Sequence, residues 1–482
     1  MTKKLILIAV VLTMLLSACA PAATPAAPAP AATEAPAAPA PAATEVPAAP
    51  APAATEVPAA TAAPTATEAP VAAAGEVALR WRTRPDNQEE AALYQEISTE
   101  LDAKLEGIAL TYEAGSSETS SYQDVLKTEI AAGTAPDVFW IPGTDTGDFA
   151  KRGLILNLAD LAKNTDGFDV NAFYGGPMEG LTYNPEMDKN GADSGALWGL
   201  PRDVSTFVLY LNKDLLAEAG AADPVELAKQ GKWDWDAFVD VASKVRALGT
   251  DIYGYGANAW WAPYGTWMNA AGGGFFNEAR DACNLNSPES LKGLQFEQDL
   301  YQKYDVAVPY GEDSEPPFRA GKVGMFQNGR WATPGARTVD FDWDVVELPK
   351  GPGGDAGNWQ FWGAYAVNAN TKHPEEAWKL AQALTQADVQ AKISSMGANI
   401  PSRQSQEAID AFLTFSPPAN NQAFINGLKD NAVAEGPLWT GSWSDYDAGM
   451  GAAVQAVLTG AKTVDEFGAT ICDELNKFFT PQ

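Results

Sequence analysis

Two adjacent tryptophans, Trp260 and Trp261, sit in the stretch "ANAWWAPYGTWMNAAGGG", with Tyr264 and Trp267 close behind. Neighbouring residues of a strand face opposite sides, and in a helix they lie far around the axis, so alternating burial does not account for two indoles in a row. At least one of the pair is expected in a loop or against a cleft. An indole face in such a place suits the flat, weakly apolar C–H face of a sugar ring, provided fixed side chains hydrogen-bond the hydroxyls. A second set of residues offers those polar groups. Arg202 and Asp203 adjoin in "LPRDVS", Arg82 and Arg84 stand in "RTRP", and Arg403 ends "NIPSR". A guanidinium can donate a bidentate pair to a vicinal diol or a carboxylate. The plainer alternative is that each charge pairs with another side chain and fixes the backbone.

Bond-making chemistry has less support. The single histidine, His373, argues against Ser-His-Asp and Cys-His hydrolases, and with no close cysteine pair it also argues against zinc. No metal and no cofactor is expected. His373 precedes Pro374 at a helix start, where surface capping is the simplest role. A glycoside hydrolase would need two carboxyls across one cleft, one of them with a raised pKa. With 62 acidic residues such pairs are always at hand, so carboxylates alone decide nothing. The Gly-rich pieces "AAGGGFFN" and "KGPGGDAGN" lack nucleotide-loop spacing and read as turns.

The scaffold follows from the pattern after Glu76. "EVALRWRTRP" reads as a strand, "NQEEAALYQEISTELDAKL" as an amphipathic helix, and "IALTYEAG" as a second strand. "SYQDVLKTEIAAG" reads as a further helix, leading to a buried strand in "APDVFWI". This alternation predicts an α/β sheet with parallel strands and right-handed crossovers. Ligands of open sheets lie beyond the carboxyl ends of the strands, which singles out Arg82, Arg84, Ser116, Ser117 and Trp140.

The N-terminus differs in kind. Lys3 and Lys4 precede an apolar run from Leu5 to Leu16, a dozen residues where a membrane span needs roughly 20, so residues 1–18 read as a secretory signal peptide. The tetrad Leu16-Ser17-Ala18-Cys19 resembles a bacterial lipobox, which would make Cys19 the lipidated first residue of the mature chain. Residues 19–75 are almost only Ala, Pro, Thr and Val, with Glu34, Glu45 and Glu56 spaced eleven apart. Such a stretch has no core to bury and reads as a semi-rigid tether. About 400 residues remain, too many for one ordinary core, and two domains fit better. All fifteen tryptophans fall in this part. The formal charge of −30, without a Lys/Arg run, makes nucleic acid and anionic headgroups poor partners. Cys283 and Cys472 are either a disulfide, as an oxidising compartment allows, or two separate buried residues.

"YQDVLKTEIAAGTAPDVFWIPG" resembles the signature stretch of family 1 extracellular solute-binding proteins, the group that includes maltose-binding protein. "LWGLPRDVSTFVLYLNKDLL", "GKWDWDAFVDVASKV", "FRAGKVGMFQNGRW" and "GAYAVNANTKHPEEAWKLAQALTQADVQ" follow in the family's order, then "ANIPSR" and "TVDEFGATICDELNKFF". The resemblance implies an α/β, two-lobe periplasmic-binding-protein fold of type II, with a hinge and an interlobe ligand cleft. Crossings are expected near 201–206, 363–367 and 400–404, giving lobe 1 as 76–204 plus 366–405 and lobe 2 as 205–365 plus 406–482. It further implies a monomer that carries a small ligand, expected to be a di- or oligosaccharide, to the permease subunits of an ABC transporter, with a lipid anchor on Cys19 and no reaction catalysed. Alternatives within the fold are a peptide, a polyamine or an anion held by Arg82, Arg84 and Arg202. By resemblance, Trp140 stands at the cleft rim, Trp261 or Tyr264 supplies a stacking ring from lobe 2, and Trp331 lies in the same lobe. Trp439 and Trp443 precede a C-terminal helix where related sugar binders carry another aromatic. Trp362 and Trp359 are open between ligand and core, while Trp235, Trp343 and Trp378 suit the core.

Overall fold

The computed structural model describes residues 75–479 apart from 86–87, 116–118, 188, 279, 398, 430–431 and 435–442. Cys19, the signal peptide, nearly all of the tether, Ser116, Ser117 and Trp439 lie outside the described residues. Eleven strands form in chain order among the described residues: β1 (Val77–Thr83), β2 (Ile108–Ala114), β3 (Val138–Pro142), β4 (Leu200–Ser205), β5 (Val208–Asn212), β6 (Tyr253–Gly256), β7 (Val323–Asn328), β8 (Trp343–Val346), β9 (Trp359–Val367), β10 (Ile400–Pro401) and β11 (Val433–Ala434). They build a larger sheet in the order β10-β4-β9-β3-β1-β2, with β11 beside β9, and a four-stranded sheet in the order β6-β7-β5-β8.

The first three strands behave as their alternation with helices predicts. β1 lies parallel to β2 on one side and to β3 on the other. Its sequence VALRWRT buries Leu79, Trp81 and Thr83 and turns Arg80 and Arg82 to the other face, as a period of two requires. Beside it the helix Gln88–Lys104 buries Leu93, Tyr94, Ile97 and Leu101, one stripe of an amphipathic helix. The rest of the sheet departs from the all-parallel expectation: β9 runs antiparallel to β3 and β4, and β10 antiparallel to β4. These three strands contain residues of the expected crossing segments, and they are neighbours. After β4 the chain reaches the smaller sheet through only Thr206 and Phe207.

β9 also divides the interior. Trp359 and Phe361 lie in one apolar cluster, and Trp362, Ala364, Tyr365, Ala366 and Val367 in another. β5 does the same, with Leu209 and Leu211 on one side and Val208 and Tyr210 on the other. Trp235, Trp343 and Trp378 are buried in these clusters. Local signals set the helix ends. Asp234 accepts from the Ala237 amide at the start of the helix Trp235–Arg246, and Thr463 with Glu466 closes a capping box on the helix Val464–Leu475. At the helix Pro374–Leu384 the His373 side chain makes no capping bond; its carbonyl accepts from Ala377 N at 2.9 Å instead, so the capping role falls to the backbone. Cys283 and Cys472 are joined, tying the loop before the helix Pro288–Gln302 to the helix Val464–Leu475. Among the described residues no helix is long and apolar enough to cross a membrane, and no group of residues has the makings of a metal site.

Candidate ligand-binding site

A cavity of about 440 Å3 lies where β3, β4 and β9 meet the start of the helix Trp261–Ala270 and the segment after β7. Such a volume falls within the ~300–1,000 Å3 of small-molecule sites. Two walls of different character line it.

One wall is aromatic. Trp260 takes an extended conformation (φ −153°, ψ 176°) just before the helix, so its ring leaves the helical path while Trp261 opens the first turn. The adjacent indoles meet edge-on at 5.1 Å. Phe361 is the hub, with ring centroids 5.7 Å from Trp260, 5.9 Å from Trp261, 5.3 Å from Trp331 and 4.8 Å from Phe207. The contacts with Trp331 and Phe207 are edge-to-face and those with Trp260 and Trp261 tilted, and such packing fixes ring orientation beyond what area burial alone does. Trp331 folds back over Gly329, where any Cβ would collide with its six-membered ring. Trp359 stands behind Trp261 at 5.0 Å and donates its indole N–H to Ala262 O at 2.8 Å.

The opposite wall is charged and hydrogen-bonded. Arg202, buried in β4, donates from Nε to Asp203 Oδ2 at 2.9 Å, from Nη2 to the same oxygen at 2.5 Å, and from Nη1 to Thr83 Oγ1 at 2.7 Å. Desolvation works against its charge, but the field of Asp203, Tyr94, Tyr365 and Glu90 outweighs it and holds its pKa well above the usual value. The Arg202 and Arg84 guanidinium carbons lie 5.1 Å and 5.3 Å from the Trp140 ring centroid, within cation–π range. The Trp140 indole nitrogen is buried without a partner against Gly363, a position with no room for a Cβ. Trp362 lines the same side, its ring against Gly180. Asn399 is held by Glu90, Nδ2 to Oε1 at 2.9 Å.

Arg330 closes the cavity near the Gly397 turn. It is 1% exposed and donates from Nε to Gly397 O and from Nη1 to Asn421 Oδ1, both at 2.6 Å. Among the described residues no carboxylate pairs with it, and burial pulls its pKa down to about 9.

Of the residues expected from sequence, Trp140, Trp261, Trp331, Trp362, Arg84, Arg202 and Asp203 line this cavity. Four others stand elsewhere. Arg82 is spent in ion pairs on the sheet's outer face, with Glu113 at 2.7 Å, its register partner on β2, and with Glu129 at 2.5 Å. Tyr264 sits in a helix buried on every side and packs on Phe275. Trp443 backs Trp261 at 5.6 Å and is outside the lining. Arg403 donates to Thr385 O at 2.6 Å and covers the Phe173 ring. Trp260, Phe361, Arg330 and Asn399 enter as lining residues that sequence reasoning did not select. The doubled indole was the signal for Trp260. Phe361 and Arg330 were signalled only by their neighbours, Trp362 and Trp331.

Among the described lining residues Asp203 is the single carboxylate, and it is paired. The two opposed carboxyls of a glycoside hydrolase are not assembled by those residues. The arrangement can hold a small molecule by ring contact on one side and by directed bonds on the other.

A Brucella abortus binding protein is 25% identical over 385 residues, covering 76% of this chain and 85% of its own. The galactooligosaccharide-binding protein of Bacillus subtilis is 27% identical over 274 residues, covering 53% of this chain and 58% of its own. The structure of a Listeria monocytogenes ABC substrate-binding protein in complex with cycloalternan superposes with a TM-score of 0.72 at 20% identity, over 83% of this chain and 98% of the other. Residues 84–391 match the model of the bacterial extracellular solute-binding proteins, and the chain belongs to that family.

Proposed function

We propose that this protein is the lipid-anchored, extracytoplasmic binding component of an ABC importer and that it holds a di- or oligosaccharide between the two walls of the cavity. The observation that carries this reading is the aromatic wall of Trp260, Trp261, Trp331 and Phe361 facing Trp362 and a hydrogen-bonded wall across about 440 Å3. Stacked rings with fixed polar groups are what a sugar's two kinds of surface need. The galactooligosaccharide binder and the cycloalternan complex among its relatives support a saccharide ligand.

In this reading Trp260, Trp261, Trp331 and Trp362 are the stacking rings, and Trp140 holds Arg84 and Arg202 in place. Arg202 and Asp203 pair to stiffen the hinge, which lies in β4, β9 and β10. Lobe 1 is 76–204 plus 366–405, and lobe 2 is 205–365 plus 406–482. Closure around ligand gives a permease a distinct shape to recognise, to the extent that the ligand binds the closed state better. Cys19 carries the lipid, residues 19–75 tether the folded part, and the protein acts as a monomer without catalysis. Ser116 and Trp439 are further ligand-contact candidates. A Cys19→Ala variant that stays membrane-bound would remove the anchor from this account.

A thermal-shift panel of mono- and oligosaccharides, amino acids and polyamines tests the ligand class. A ligand bound only by the folded state stabilises it by ~2.7 kcal/mol at a hundredfold excess over its dissociation constant. A saccharide class that raises the midpoint and is recovered unchanged is the expected outcome. A sugar consumed in the assay, or a midpoint moved only by amino acids or polyamines, overturns it.

A further inference from the structure

A second cavity, of about 420 Å3, lies at the β8 edge of the smaller sheet, between the helix Pro224–Lys229, the segment that follows β8 and the helix Gln422–Lys429. It is nearly as large as the first and shares no lining residue with it. Its volume also falls within the ~300–1,000 Å3 of small-molecule sites.

The lining divides by chemistry. Val225, Ala228, Leu348 and Trp233 supply an apolar part. Trp233 is 4% exposed and donates its indole N–H to Glu347 O at 2.8 Å, so the ring offers the cavity only carbon. Asn420, Gln422, Asn426 and Glu347 supply a polar part whose amide groups already donate within the protein. Asn420 donates Nδ2 to Val345 O at 3.0 Å, Gln422 donates Nε2 to Asn426 Oδ1 at 3.0 Å, and Asn426 donates Nδ2 to Glu347 Oε1 at 2.6 Å. Asn420 Oδ1, Gln422 Oε1 and Glu347 Oε2 have no partner among the described residues. Behind them Asn358, 1% exposed, bonds both backbone groups of Phe207, at 3.0 Å and 2.8 Å, and gives the cavity a fixed floor.

Free acceptor oxygens beside an apolar surface suit a ligand that donates hydrogen bonds and also carries weakly apolar faces. The charges of the lining narrow the choice. Lys229 pairs with Glu226 at 2.7 Å, which leaves Glu347 and Lys350, one of each sign. Such a balance favours a neutral molecule over an ion. Hydroxyls on a sugar ring meet all of these conditions.

We propose that this cavity is a second saccharide site, taking a neutral mono- or disaccharide whose hydroxyls donate to Asn420, Gln422 and Glu347 while a ring face lies on the apolar part. The site is separate from the ligand held between the two walls and does not depend on what that ligand is.

The test is equilibrium dialysis of the whole protein with labelled glucose, galactose, maltose and lactose, and with labelled putrescine as a charged control, counting moles bound per mole of chain. Ala228→Trp, which fills the cavity from the helix Pro224–Lys229, should remove one equivalent of a neutral saccharide. Trp260→Ala should leave that equivalent in place. The same stoichiometry in Ala228→Trp and the unmodified protein would overturn the inference, and saccharide binding lost only in Trp260→Ala would leave the first cavity's reading standing. An equivalent lost in Ala228→Trp, with none sensitive to Trp260→Ala, supports the second site and counts against the first reading. Putrescine bound in place of every saccharide and lost in Ala228→Trp overturns the assigned chemistry. No saccharide bound at all removes both readings. If Ala228→Trp does not fold, Gln422→Ala, at an exposed position, should weaken the second equivalent about threefold, the effect of one lost hydrogen bond. Unchanged affinity in that variant overturns the proposal.

Discussion

The two walls of the cavity are held by different forces. Trp260, Trp261, Trp331 and Phe361 are fixed by ring-on-ring packing, and their positions follow from close contact within an apolar cluster. Arg202, Asp203 and Asn399 are fixed by directed bonds to partners that differ in each case. Packing tolerates a ring of similar size, whereas a hydrogen-bonded charge leaves its partner unsatisfied when it is removed. The aromatic wall should therefore govern how tightly a ligand is held, and the charged wall which ligand is held.

The largest effect should come from the aromatic wall's most buried tryptophan. Trp261 is 7% exposed and packs on Trp359, Phe361 and Trp443. Trp261→Ala should lower stability by about 3–5 kcal/mol in urea denaturation. A loss below 1 kcal/mol would mean that the wall is not a packed unit.

The core beneath that wall should respond to pH in a way the charged wall does not. Glu297 is buried near Tyr255, Tyr301 and Tyr310, and desolvation pushes its pKa up to about 8. The folded state thus keeps a proton that the unfolded chain releases near its ordinary value of 4.5. Stability should fall as pH rises from there to about 8 and level off above, by up to a few kcal/mol. Glu297→Gln should flatten that slope. Parallel pH profiles for the two proteins would contradict it.

Trp260 separates binding from stability more cleanly, since it is half-buried and ends outside the helix. Trp260→Ala should weaken saccharide binding by ~2 kcal/mol at a small cost in melting temperature. The smallest effect sharpens the opposite wall. Arg82→Gln, two residues before Arg84 but turned to the outer face, should cost about 1 kcal/mol of stability through its lost pairs with Glu113 and Glu129 and leave affinity unchanged. A loss of affinity in this variant would erase the distinction between the two arginines.

That distinction shows where sequence reading stops. Period-two burial and strand-helix alternation made β1, β2 and β3 legible, because local pattern alone determines them. Whether Arg82 or Arg84 reaches the cavity depends on where β1 ends: Arg82 is still in register with Glu113, and Arg84 has left the pleat. The doubled indole pointed to the cavity, but the choice between Trp261 and Tyr264 turned on a helix enclosed on every side, which its own sequence does not announce. Arg403 and Trp443 stood near the right segments and were drawn away by partners distant in sequence, Phe173 and Phe276. Arg330 shows the same limit in reverse, since its acceptors at Gly397 and Asn421 come from beyond β9.

The most direct test of ligand capture between two walls is a pair of calorimetric titrations with the saccharide that the panel selects, one on Trp260→Ala and one on Trp362→Ala. Each variant removes a ring from one side of the cavity. If the ligand spans it, both lose at least about tenfold in affinity, or ~1.4 kcal/mol, while remaining folded. If either variant binds as the unmodified protein does, the ligand touches one wall only and the account of a saccharide held between two walls is contradicted.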